Sequence, residues 1–324
     1  MAMEISSEKI DLLIYGPTKP TVAKGFTDQF VLHSFETQHD LERLPADVAA
    51  RVRGIAVTGL VPVNGAVLSA YPKLEIISSF GVGYDHIDAK YCAGRDVVVT
   101  NTPDVLTEEV ADTALGLFIA TAREFIKADR YLRAGLWLTQ PYPLSVGSLR
   151  DRKVGMGRIG QAIARRLDAS LVPVVYHSRK PAEGVAYQHY PNLIEMAKAV
   201  DTLIVITPGG AATANLVNAE VMSALGPRGI IINVARGSVI DEPALIAALK
   251  SGTILAAGLD VFAQEPKVPE ELRAMQNVVL LPHIGSASVV TRNAMDQLVV
   301  DNLKAWFAGK APMTPIPETP VKGR

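Results

Sequence analysis

Short runs of apolar residues recur along the chain, and stretches with a helical spacing of apolar positions separate them. Ten of these runs are rich in Val and Ile, which favours β-strands. Several, such as 203–206 and 230–232, are apolar at every position. Continuous apolar runs are typical of strands that helices cover on both faces, so the pattern predicts an α/β protein with doubly wound parallel sheets. The ten predicted strands are 10–15, 29–34, 54–57, 75–78, 97–100, 172–177, 202–207, 229–233, 256–260 and 278–281.

Three further segments predict helices and the division into domains. Asp241 and Pro243 are typical of a helix start, and Gly252 is typical of a helix end. Segments 108–127 and 289–307 are long and rich in apolar positions, and we interpret both as helices that connect two domains. The chain then leaves a first domain near residue 101 and returns to it near residue 287. The Pro-rich tail, from Pro312 to Pro320, is expected to be flexible.

Length and charge narrow the class of protein. A chain of 324 residues corresponds to about two domains, and 32 Lys and Arg against 33 Asp and Glu leave a net charge of −1. This balance gives no overall positive field, so we expect neither a nucleic acid partner nor a membrane partner. The single cysteine, Cys92, excludes internal disulfides and cysteine-based metal sites, and no metal site is expected. The first nine residues are polar and lack a secretory signal, so we expect a cytoplasmic protein.

A glycine-rich turn with the pattern G-x-G-x-x-G occurs between a strand and a helix. Apolar residues follow it at helical spacing and lead into the strand predicted at 172–177. Such glycines allow a tight turn and let the backbone approach a pyrophosphate at the positive end of the helix. The pattern predicts a Rossmann-type domain whose cofactor contacts include Gly155, Gly157, Arg158, Ile159 and Gly160.

The residues after the next strand indicate which nicotinamide cofactor is bound. An NAD site needs an acidic residue there for the ribose 2′-hydroxyl, whereas this chain has Ser178, Arg179 and Lys180. The two cations can pair with a 2′-phosphate, and the serine can donate a hydrogen bond to it. We therefore predict that NADP(H) is preferred over NAD(H).

The strand before the glycines is unusually short. Only Lys153 and Val154 precede Gly155 in the apolar pattern, whereas a buried strand has about five or six residues. Losing three residues shortens a strand by about 10 Å, and an odd deletion inverts which side chains face each helix layer. Because a true deletion in a central strand should be severely damaging, we favour the interpretation that residues are missing from the sequence between Val154 and Met156.

Polar side chains follow three further predicted strands, at the edge where open α/β sheets bind ligands. An arginine follows the strand at 229–233, a glutamate follows 256–260, and a histidine follows 278–281. Side chains at three strand ends can converge on one cleft. The three are Arg236, Glu265 and His283.

Together these motifs resemble the D-isomer-specific 2-hydroxyacid dehydrogenases, over about residues 74–306. The motifs that carry the resemblance are 81–88, the glycine-rich turn, 233–241, 258–266 and 282–287. Within the family, Ser178-Arg179 and Gly135-Leu136-Trp137 look most like the NADPH-dependent glyoxylate/hydroxypyruvate reductases. The resemblance implies a Rossmann-type cofactor domain, 102–286, inserted in a flavodoxin-like substrate domain formed by 1–101 and 287–324.

The chemistry of such an enzyme gives each strand-end residue a task. Arg236 can bind a 2-oxo acid and polarise its keto oxygen, and His283 can protonate that oxygen as the general acid. Glu265 would favour the imidazolium and fix the orientation of the ring. The resemblance implies that the N–H groups of Val82 and Gly83 hold the substrate carboxylate. The hydride comes from the nicotinamide, so the protein supplies position and charge.

Further contacts are implied by the resemblance alone. Trp137 either reaches the substrate pocket of a partner subunit or is an ordinary interface or core aromatic. Apolar surface on segments 108–127 and 133–143 predicts a homodimer. The remaining expected cofactor contacts are Thr107, Thr207, Pro208, Thr213, Val234, Asp260 and Gly285.

The expected activity is the NADPH-dependent reduction of glyoxylate or hydroxypyruvate to glycolate or D-glycerate. One alternative is another dehydrogenase of the same fold. It would act on formate, on phosphite or on a different D-2-hydroxy acid. Formate dehydrogenases of this family have Gln where Glu265 stands, which argues against formate. The other alternative is a nucleotide-sensing binding protein, similar to the corepressors of the family. The sequence sets neither the physiological substrate nor the direction, because 2-oxo acids differ by small groups.

Overall fold

The computed structural model describes residues 9–26, 29–145, 147–150, 152–156 and 160–321. The chain divides into two compact units, Met1–Leu106 with Ser288–Arg324, and Thr107–Ala287. The first unit is therefore discontinuous in sequence. The chain leaves it after Leu106, where the sequence analysis had the boundary at residue 101.

The strands are short, and all ten predicted strands are present, two with the predicted bounds and eight with ends shifted by one or two residues. Two further strands, the sixth and the eighth, have three residues each. In chain order the strands are β1 (Ile10–Tyr15), β2 (Phe30–Phe35), β3 (Gly54–Val57), β4 (Ile76–Ser79), β5 (Val98–Thr100), β6 (Val154–Met156), β7 (Val174–His177), β8 (Gln188–Tyr190), β9 (Thr202–Val205), β10 (Ile230–Asn233), β11 (Ala256–Leu259) and β12 (Val278–Leu280).

Helices connect the strands, and most of them have fewer than ten residues. In chain order they are α1 (Pro20–Gly25), α2 (Gln38–Leu41), α3 (Ala46–Ala49), α4 (Gly65–Leu68), α5 (Ala89–Gly94), α6 (Thr107–Ala122), α7 (Phe125–Arg133), α8 (Gln161–Ala169), α9 (Leu193–Ala199), α10 (Ala219–Leu225), α11 (Glu242–Ser251), α12 (Glu270–Ala274) and α13 (Val289–Phe307).

The first unit contains a five-stranded parallel sheet in the order β2-β1-β3-β4-β5. Residues on both faces of its central strands are fully buried, among them Leu13, Ile55 and Ile76. One face packs against α13 through residues such as Val299 and Leu303, and the other face packs against a second apolar cluster. This arrangement confirms the predicted doubly wound sheet, because helices remove both faces from water.

The second unit contains a seven-stranded parallel sheet in the order β12-β11-β10-β9-β6-β7-β8. Strand β10, Ile230–Asn233, is buried at every position, and its first three residues form a continuous apolar run. Helices α6 and α8 cover one face, and α9, α10 and α11 cover the other. The strand order reverses between β6 and β9, which is the position where doubly wound sheets bind dinucleotides. The predicted Rossmann-type domain is confirmed.

Two elements of the structure differ from the prediction. The single helix expected at 108–127 is two helices, because Glu124 adopts a left-handed φ of +53° between α6 and α7. No Gly or Pro marks this break in the sequence. Strand β8 was not predicted because its residues, Gln188–Tyr190, are mostly polar and it pairs only with β7 at the sheet edge. Hydrogen bonds to β7 are enough to form this edge strand, so its sequence needs no apolar pattern.

The Pro-rich tail is ordered along the edge of the first sheet, which corrects the expectation of a flexible segment. The N–H of Ile316 donates to the carbonyl of Val99 at 2.9 Å, and the hydroxyl of Thr319 accepts from the N–H of Val99 at 2.9 Å. Ile316 is only 2% exposed. An edge strand leaves unpaired N–H and C=O groups, and the tail satisfies those of β5.

The helix signals at 241–252 and 289–307 are confirmed. The side chain of Asp241 accepts a hydrogen bond from the N–H of Ala244 at 3.1 Å, and Gly252 ends α11 with a φ of +73°. Helix α13 has the predicted bounds, and Ser288 caps its first turn. None of the helices in the described ranges is long and apolar enough to cross a membrane.

Candidate active site

Three neighbouring strands of the second unit end at one edge of the sheet, and each is followed by a predicted catalytic residue. Strands β10, β11 and β12 pair in parallel, so their carboxyl ends lie side by side. Arg236, Glu265 and His283 occupy the loops after them. The fold therefore gathers three residues that are far apart in the sequence.

Glu265 and His283 form a direct hydrogen bond. The ring Nδ1 of His283 lies 2.6 Å from Oε2 of Glu265, and Oε1 accepts from the N–H of Phe262 at 3.0 Å. The two side chains are partly exposed, at 35% for His283 and 26% for Glu265. Because Nδ1 faces the carboxylate, Nε2 is the ring nitrogen that can exchange a proton with a ligand.

The carboxyl group of Glu265 is held in its ionised form. Burial alone raises its pKa, but hydrogen bonds from His283 and Phe262 outweigh burial, together with the charges of His283 and Arg236. The net result is a pKa below the ordinary value for glutamate. A carboxylate in this state accepts a hydrogen bond from Nδ1 of His283 and so fixes the ring orientation.

The backbone of His283 has an uncommon conformation. Its φ is +53°, in the left-handed region, which costs about 1–3 kcal/mol for a residue other than glycine. The carbonyl of Asp260 accepts from the N–H of His283 at 2.8 Å, and this bond holds the conformation. The strained backbone aims the imidazole at Glu265, and strain of this kind is often found at functional sites.

Asp260 fixes the loop that carries His283. Its carboxylate oxygens accept from the N–H groups of Ile284 and Gly285 at 2.7 and 2.8 Å. The side chain is buried, and burial raises the pKa of its carboxyl group, although the two N–H groups favour the ionised form. A Cβ at Gly285 would lie 3.0 Å from Oδ2 of Asp260, so a larger residue would disturb this contact. Both residues were predicted as cofactor contacts, and their hydrogen bonds also shape the catalytic loop.

The loop of Arg236 is equally constrained. The side-chain amide of Asn233 donates to the carbonyl of Arg236 at 3.0 Å, and its oxygen accepts from the N–H of Ala235 at 3.0 Å. The next residue, Gly237, lies against the backbone of the Glu265 loop, where a Cβ would be 1.9 Å from the carbonyl carbon of Phe262. Only glycine fits there, so the loops of Arg236 and Glu265 are held in contact.

The glycine-rich turn departs from the prediction. Gly155 lies inside β6, paired with Leu203 of β9 and Val175 of β7, rather than in a turn after the strand. Gly160 precedes the first residue of α8, as expected for the third glycine. The other predicted contacts of this turn, Gly157, Arg158 and Ile159, lie outside the described residues.

The predicted 2′-phosphate residues follow β7 directly. Arg179 and Lys180 are exposed, and no acidic residue occurs among residues 178–181. Ser178 is buried, and its hydroxyl donates to the carbonyl of Lys180 at 2.5 Å. The serine hydrogen is therefore used within its own turn, and the two cations are the groups available to a phosphate.

Several of the remaining predicted cofactor residues directly follow strands of the second sheet. Thr207 and Pro208 follow β9, and Val234 follows β10. Within the part of the chain that the structure describes, Oγ1 of Thr207 is buried without a hydrogen-bond partner. The hydroxyl of Thr213 donates to the carbonyl of Pro208 at 2.7 Å, and Thr107 is the first residue of α6.

These residues fit a nicotinamide dinucleotide, with one departure. Two exposed cations and no acidic residue after β7 suit a 2′-phosphate at one end. At the other end, glycine backbone and the His283–Glu265 pair suit a reacting nicotinamide and its substrate. The departure lies between these two ends, at the pyrophosphate turn, where the first motif glycine, Gly155, belongs to β6.

Comparison with known proteins agrees with this geometry. Residues 115–285 match the NAD binding domain of the D-isomer specific 2-hydroxyacid dehydrogenases. The chain belongs to this family. A relative in Arabidopsis thaliana, a glyoxylate/hydroxypyruvate reductase A, is 42% identical over 316 residues, which cover 95% of this chain and 99% of the relative.

A solved structure and a second relative extend the comparison. An NADPH-dependent glyoxylate/hydroxypyruvate reductase from Sinorhizobium meliloti, solved with NADP and malonate, is 52% identical, with a TM-score of 0.93 over 98% of this chain and 99% of that one. A hydroxyphenylpyruvate reductase from Plectranthus scutellarioides is 41% identical over 95% of this chain and 99% of its own length. The second relative is named for a much larger 2-oxo acid.

The first unit of this 2-hydroxyacid dehydrogenase contains the predicted carboxylate-binding turn after β4. The N–H of Gly81 donates to the hydroxyl of Thr102 at 2.8 Å, and the side chain of Asn101 donates to the carbonyl of Val82 at 2.8 Å. The N–H groups of Val82 and Gly83 have no acceptor among the residues that the structure describes. The turn is held from both sides while two donors stay available.

Trp137 lies on the surface of the second unit. It occupies a short 3₁₀ turn, Leu136–Leu138, and is 66% exposed. The neighbouring Leu138 is 91% exposed. This excludes the core-aromatic interpretation of Trp137 within a single chain.

Sequence reasoning assigned no role to two residues that hold the site. Asn233 fixes the backbone around Arg236, and Glu242 accepts from the N–H of Ala263 at 3.1 Å beside Glu265. Asn233 ends a buried strand, where a polar side chain is a signal for loop hydrogen bonds. Glu242 looked like an ordinary first-turn residue of α11, and nothing in the sequence distinguished it.

Proposed function

We propose that this dehydrogenase reduces glyoxylate and hydroxypyruvate to glycolate and D-glycerate, with NADPH preferred over NADH. The observation that carries the proposal is the 2.6 Å contact between His283 and Glu265 in a loop next to that of Arg236. The Arabidopsis thaliana and Sinorhizobium meliloti proteins, which are named for these substrates, support the choice of 2-oxo acids.

Each side chain performs one step on the 2-oxo acid. The guanidinium of Arg236 donates hydrogen bonds to the substrate and polarises its keto group. His283 delivers a proton from Nε2 to the keto oxygen, and Glu265 stabilises the charged imidazole before that transfer. A bound nicotinamide would supply the hydride that reduces the keto carbon. In the reverse direction, the neutral imidazole accepts the proton of the hydroxyl group.

The turn at Val82 and Gly83 supplies an anion-binding element. Its two unpaired N–H groups bind the substrate carboxylate, since backbone donors favour negative charge without a side-chain ordering cost. The hydrogen bonds from Gly81 to Thr102 and from Asn101 to Val82 keep the turn in position. A rigid turn of this kind suits a small carboxylate.

Arg179 and Lys180 select the cofactor. Both are exposed after β7 and bind the 2′-phosphate of NADPH, while NADH presents a hydroxyl group that gains nothing from two cations. The Sinorhizobium meliloti structure, which holds NADP, supports this choice. The remaining predicted contacts, Thr107, Thr207, Pro208, Thr213, Val234, Asp260 and Gly285, line the same cofactor.

Exposed apolar residues on the second unit support a homodimer. Seven of the nine exposed large apolar residues in the described part of this unit fall within the single stretch from α7 to residue 144, and only Leu171 and Ile284 lie elsewhere. Such a concentration of apolar surface would be unfavourable in contact with water. Trp137 belongs to this surface and contributes either to the interface or to the substrate pocket of the partner. Gel filtration at micromolar concentration should give a dimer, and a monomer would refute the assignment. The exposed residues are Phe125, Ile126, Leu132, Leu136, Trp137, Leu138 and Leu144.

A spectrophotometric assay tests the proposed activity. NADPH absorbance should fall when glyoxylate or hydroxypyruvate is added to the protein, faster than with NADH at equal concentration. A panel of 2-oxo acids that includes hydroxyphenylpyruvate then ranks the substrates. Tight NADPH binding without oxidation by any of them would instead favour the nucleotide-sensing alternative.

A further inference from the structure

The turn that follows β7 carries the two cations proposed to bind the 2′-phosphate. It comprises residues 178–182, and Arg179 and Lys180 lie exposed within it. Long cationic side chains lose rotamer freedom when they bind an anion, and a mobile backbone would add to that cost. The affinity of this turn for a phosphate therefore depends on the contacts that hold its backbone.

Two aromatic side chains hold the first and the last residue of this turn. Nε2 of His189 donates a hydrogen bond to the carbonyl of Ser178 at 2.9 Å, because a carbonyl oxygen can only accept. The hydroxyl of Tyr176 accepts from the N–H of Ala182 at 3.0 Å. The ring centroids of Tyr176 and His189 are 5.0 Å apart, and the ring planes are inclined by 47°. Both ends of the turn are thus bound to one pair of contacting rings.

The middle of the turn is restricted by its own residues. The hydroxyl of Ser178 donates to the carbonyl of Lys180 at 2.5 Å. Pro181 has a fixed φ and disfavours a helical backbone at Lys180, the residue before it. Neither Arg179 nor Lys180 forms an ion pair with a residue in the described ranges. The backbone is therefore held while both side-chain charges stay available to a ligand.

The edge strand β8 supplies His189, and a second histidine joins the same two strands. In the register of β7 and β8, Tyr176 lies opposite His189, and His177 lies opposite Tyr190. Nδ1 of His177 donates to the carbonyl of Tyr190 at 2.8 Å. Because successive side chains of a strand point to opposite faces of the sheet, the two histidines hold the end of β7 from both faces. Strand β8 therefore fixes the start of the turn through polar contacts.

We infer, on the basis of the proposed cofactor preference, that His189 is a positioning residue that sets the selectivity for NADPH over NADH, and that Tyr176 assists it at the other end of the turn. His189 acts through the backbone from which Arg179 and Lys180 project. With that backbone fixed, both cations are presented together to a 2′-phosphate. NADH has a hydroxyl group in place of the phosphate, so it gains nothing from the order of the turn.

Two substitutions at His189 separate its hydrogen bond from its ring contact. His189→Phe keeps a ring beside Tyr176 and removes the donor, whereas the matched control His189→Gln keeps an N–H donor at a similar distance along the side chain. Fluorescence titration should give a Kd for NADPH about three- to tenfold higher in His189→Phe and within about twofold of the native value in His189→Gln. The Kd for NADH should change by less than about twofold in both. Equal changes for the two cofactors would overturn the role of His189 in selectivity.

A double-mutant cycle tests whether His189 acts through the two cations. In the background Arg179→Ala/Lys180→Ala no cation is left in the turn to be positioned, so His189→Phe should raise the Kd for NADPH by less than about twofold. A larger rise in that background would show a general structural role and refute the assignment. If His189→Phe does not fold, Tyr176→Phe tests the other end of the turn. It should raise the Kd for NADPH about two- to fivefold and leave that for NADH unchanged, and an unchanged Kd for NADPH would contradict the assignment.

Binding and turnover separate this role from the proposed function. If His189→Phe weakens NADPH binding alone but the native protein reduces no 2-oxo acid, the reductase proposal fails and the role of His189 stands. If the native protein reduces glyoxylate with a preference for NADPH that His189→Phe leaves unchanged, the role of His189 fails and the reductase proposal stands. Equal native affinity for NADPH and NADH would overturn the cofactor preference and the role of His189 together.

Discussion

Two regions at the carboxyl edge of the second sheet differ in the contacts that hold their loops. At β10, β11 and β12, the loops carrying Arg236, Glu265 and His283 are fixed by several hydrogen bonds and by one glycine contact. At β6 and β7, the first motif glycine, Gly155, lies within the central strand, and the hydroxyl of Ser178 donates to the carbonyl of Lys180 in its own turn.

This difference separates chemistry from cofactor affinity. The loops of β10 to β12 contain the groups proposed to act on the substrate. The residues after β7, Arg179 and Lys180, are the proposed contacts to the cofactor. We therefore expect substitutions near β12 to lower kcat and substitutions near β7 to change the KM for the cofactor.

The largest effect is expected at His283. His283→Ala removes the proton donor and should lower kcat for glyoxylate reduction by about 10²- to 10⁴-fold, the range for a general acid. The Kd for NADPH should stay nearly the same, which fluorescence titration measures. His39→Ala, at an exposed histidine of the first unit, is the control and should retain normal kcat. An unchanged kcat in His283→Ala would remove this residue from the mechanism.

Arg236 is expected to affect both binding and catalysis. Arg236→Ala should lower kcat/KM for glyoxylate by about 100-fold, since two charge-assisted hydrogen bonds to the substrate are lost. Arg236→Lys keeps the charge without the planar fork, so it should recover only part of the loss. Steady-state kinetics on both variants checks the expectation. Full activity in the lysine variant would show that charge alone is needed there.

The contrast between these ends also explains what the sequence could predict. The strands and most strand ends followed from continuous apolar runs, because helices bury both faces of each sheet. The gathering of Arg236, Glu265 and His283 at one edge could be predicted because parallel strands bring their carboxyl ends together. The left-handed backbone of His283 and the support from Asn233 were not predictable, because both depend on contacts between separate loops.

Strand β6 shows a different limit. The sequence revealed too few apolar residues before Gly155, but the position of this glycine depends on which residues of β9 and β7 it pairs with. That register follows from three strands together. The ordered tail was missed for a similar reason, since its order comes from pairing with β5 and not from its own composition.

A smaller effect, confined to the KM for the cofactor, is expected at Arg179, which follows β7. Arg179→Ala should raise the KM for NADPH by about 10- to 50-fold and leave the KM for NADH within about twofold, because one charge-assisted contact to the 2′-phosphate is lost. The matched control is Arg150→Ala, at another exposed arginine of the same unit. Equal changes for the two cofactors would contradict the 2′-phosphate assignment.

The smallest effect is expected at Glu265, when one of its carboxylate oxygens is replaced by an amide nitrogen. Glu265→Gln should lower kcat about three- to tenfold, because the amide still accepts from Phe262 but no longer stabilises a charged imidazole. The pKa of Glu265 lies below its ordinary value, so the native protein keeps the ionised carboxylate through neutral and mildly acidic pH. Protonation of Glu265 should therefore lower the native kcat only on the acid side, at pH values below the ordinary glutamate range, and Glu265→Gln should lack this fall. A pH profile of kcat measures the acid limb, with Glu270→Gln, at an exposed glutamate of α12, as the control. An acid limb of native shape in Glu265→Gln would mean that the charge of Glu265 is not needed.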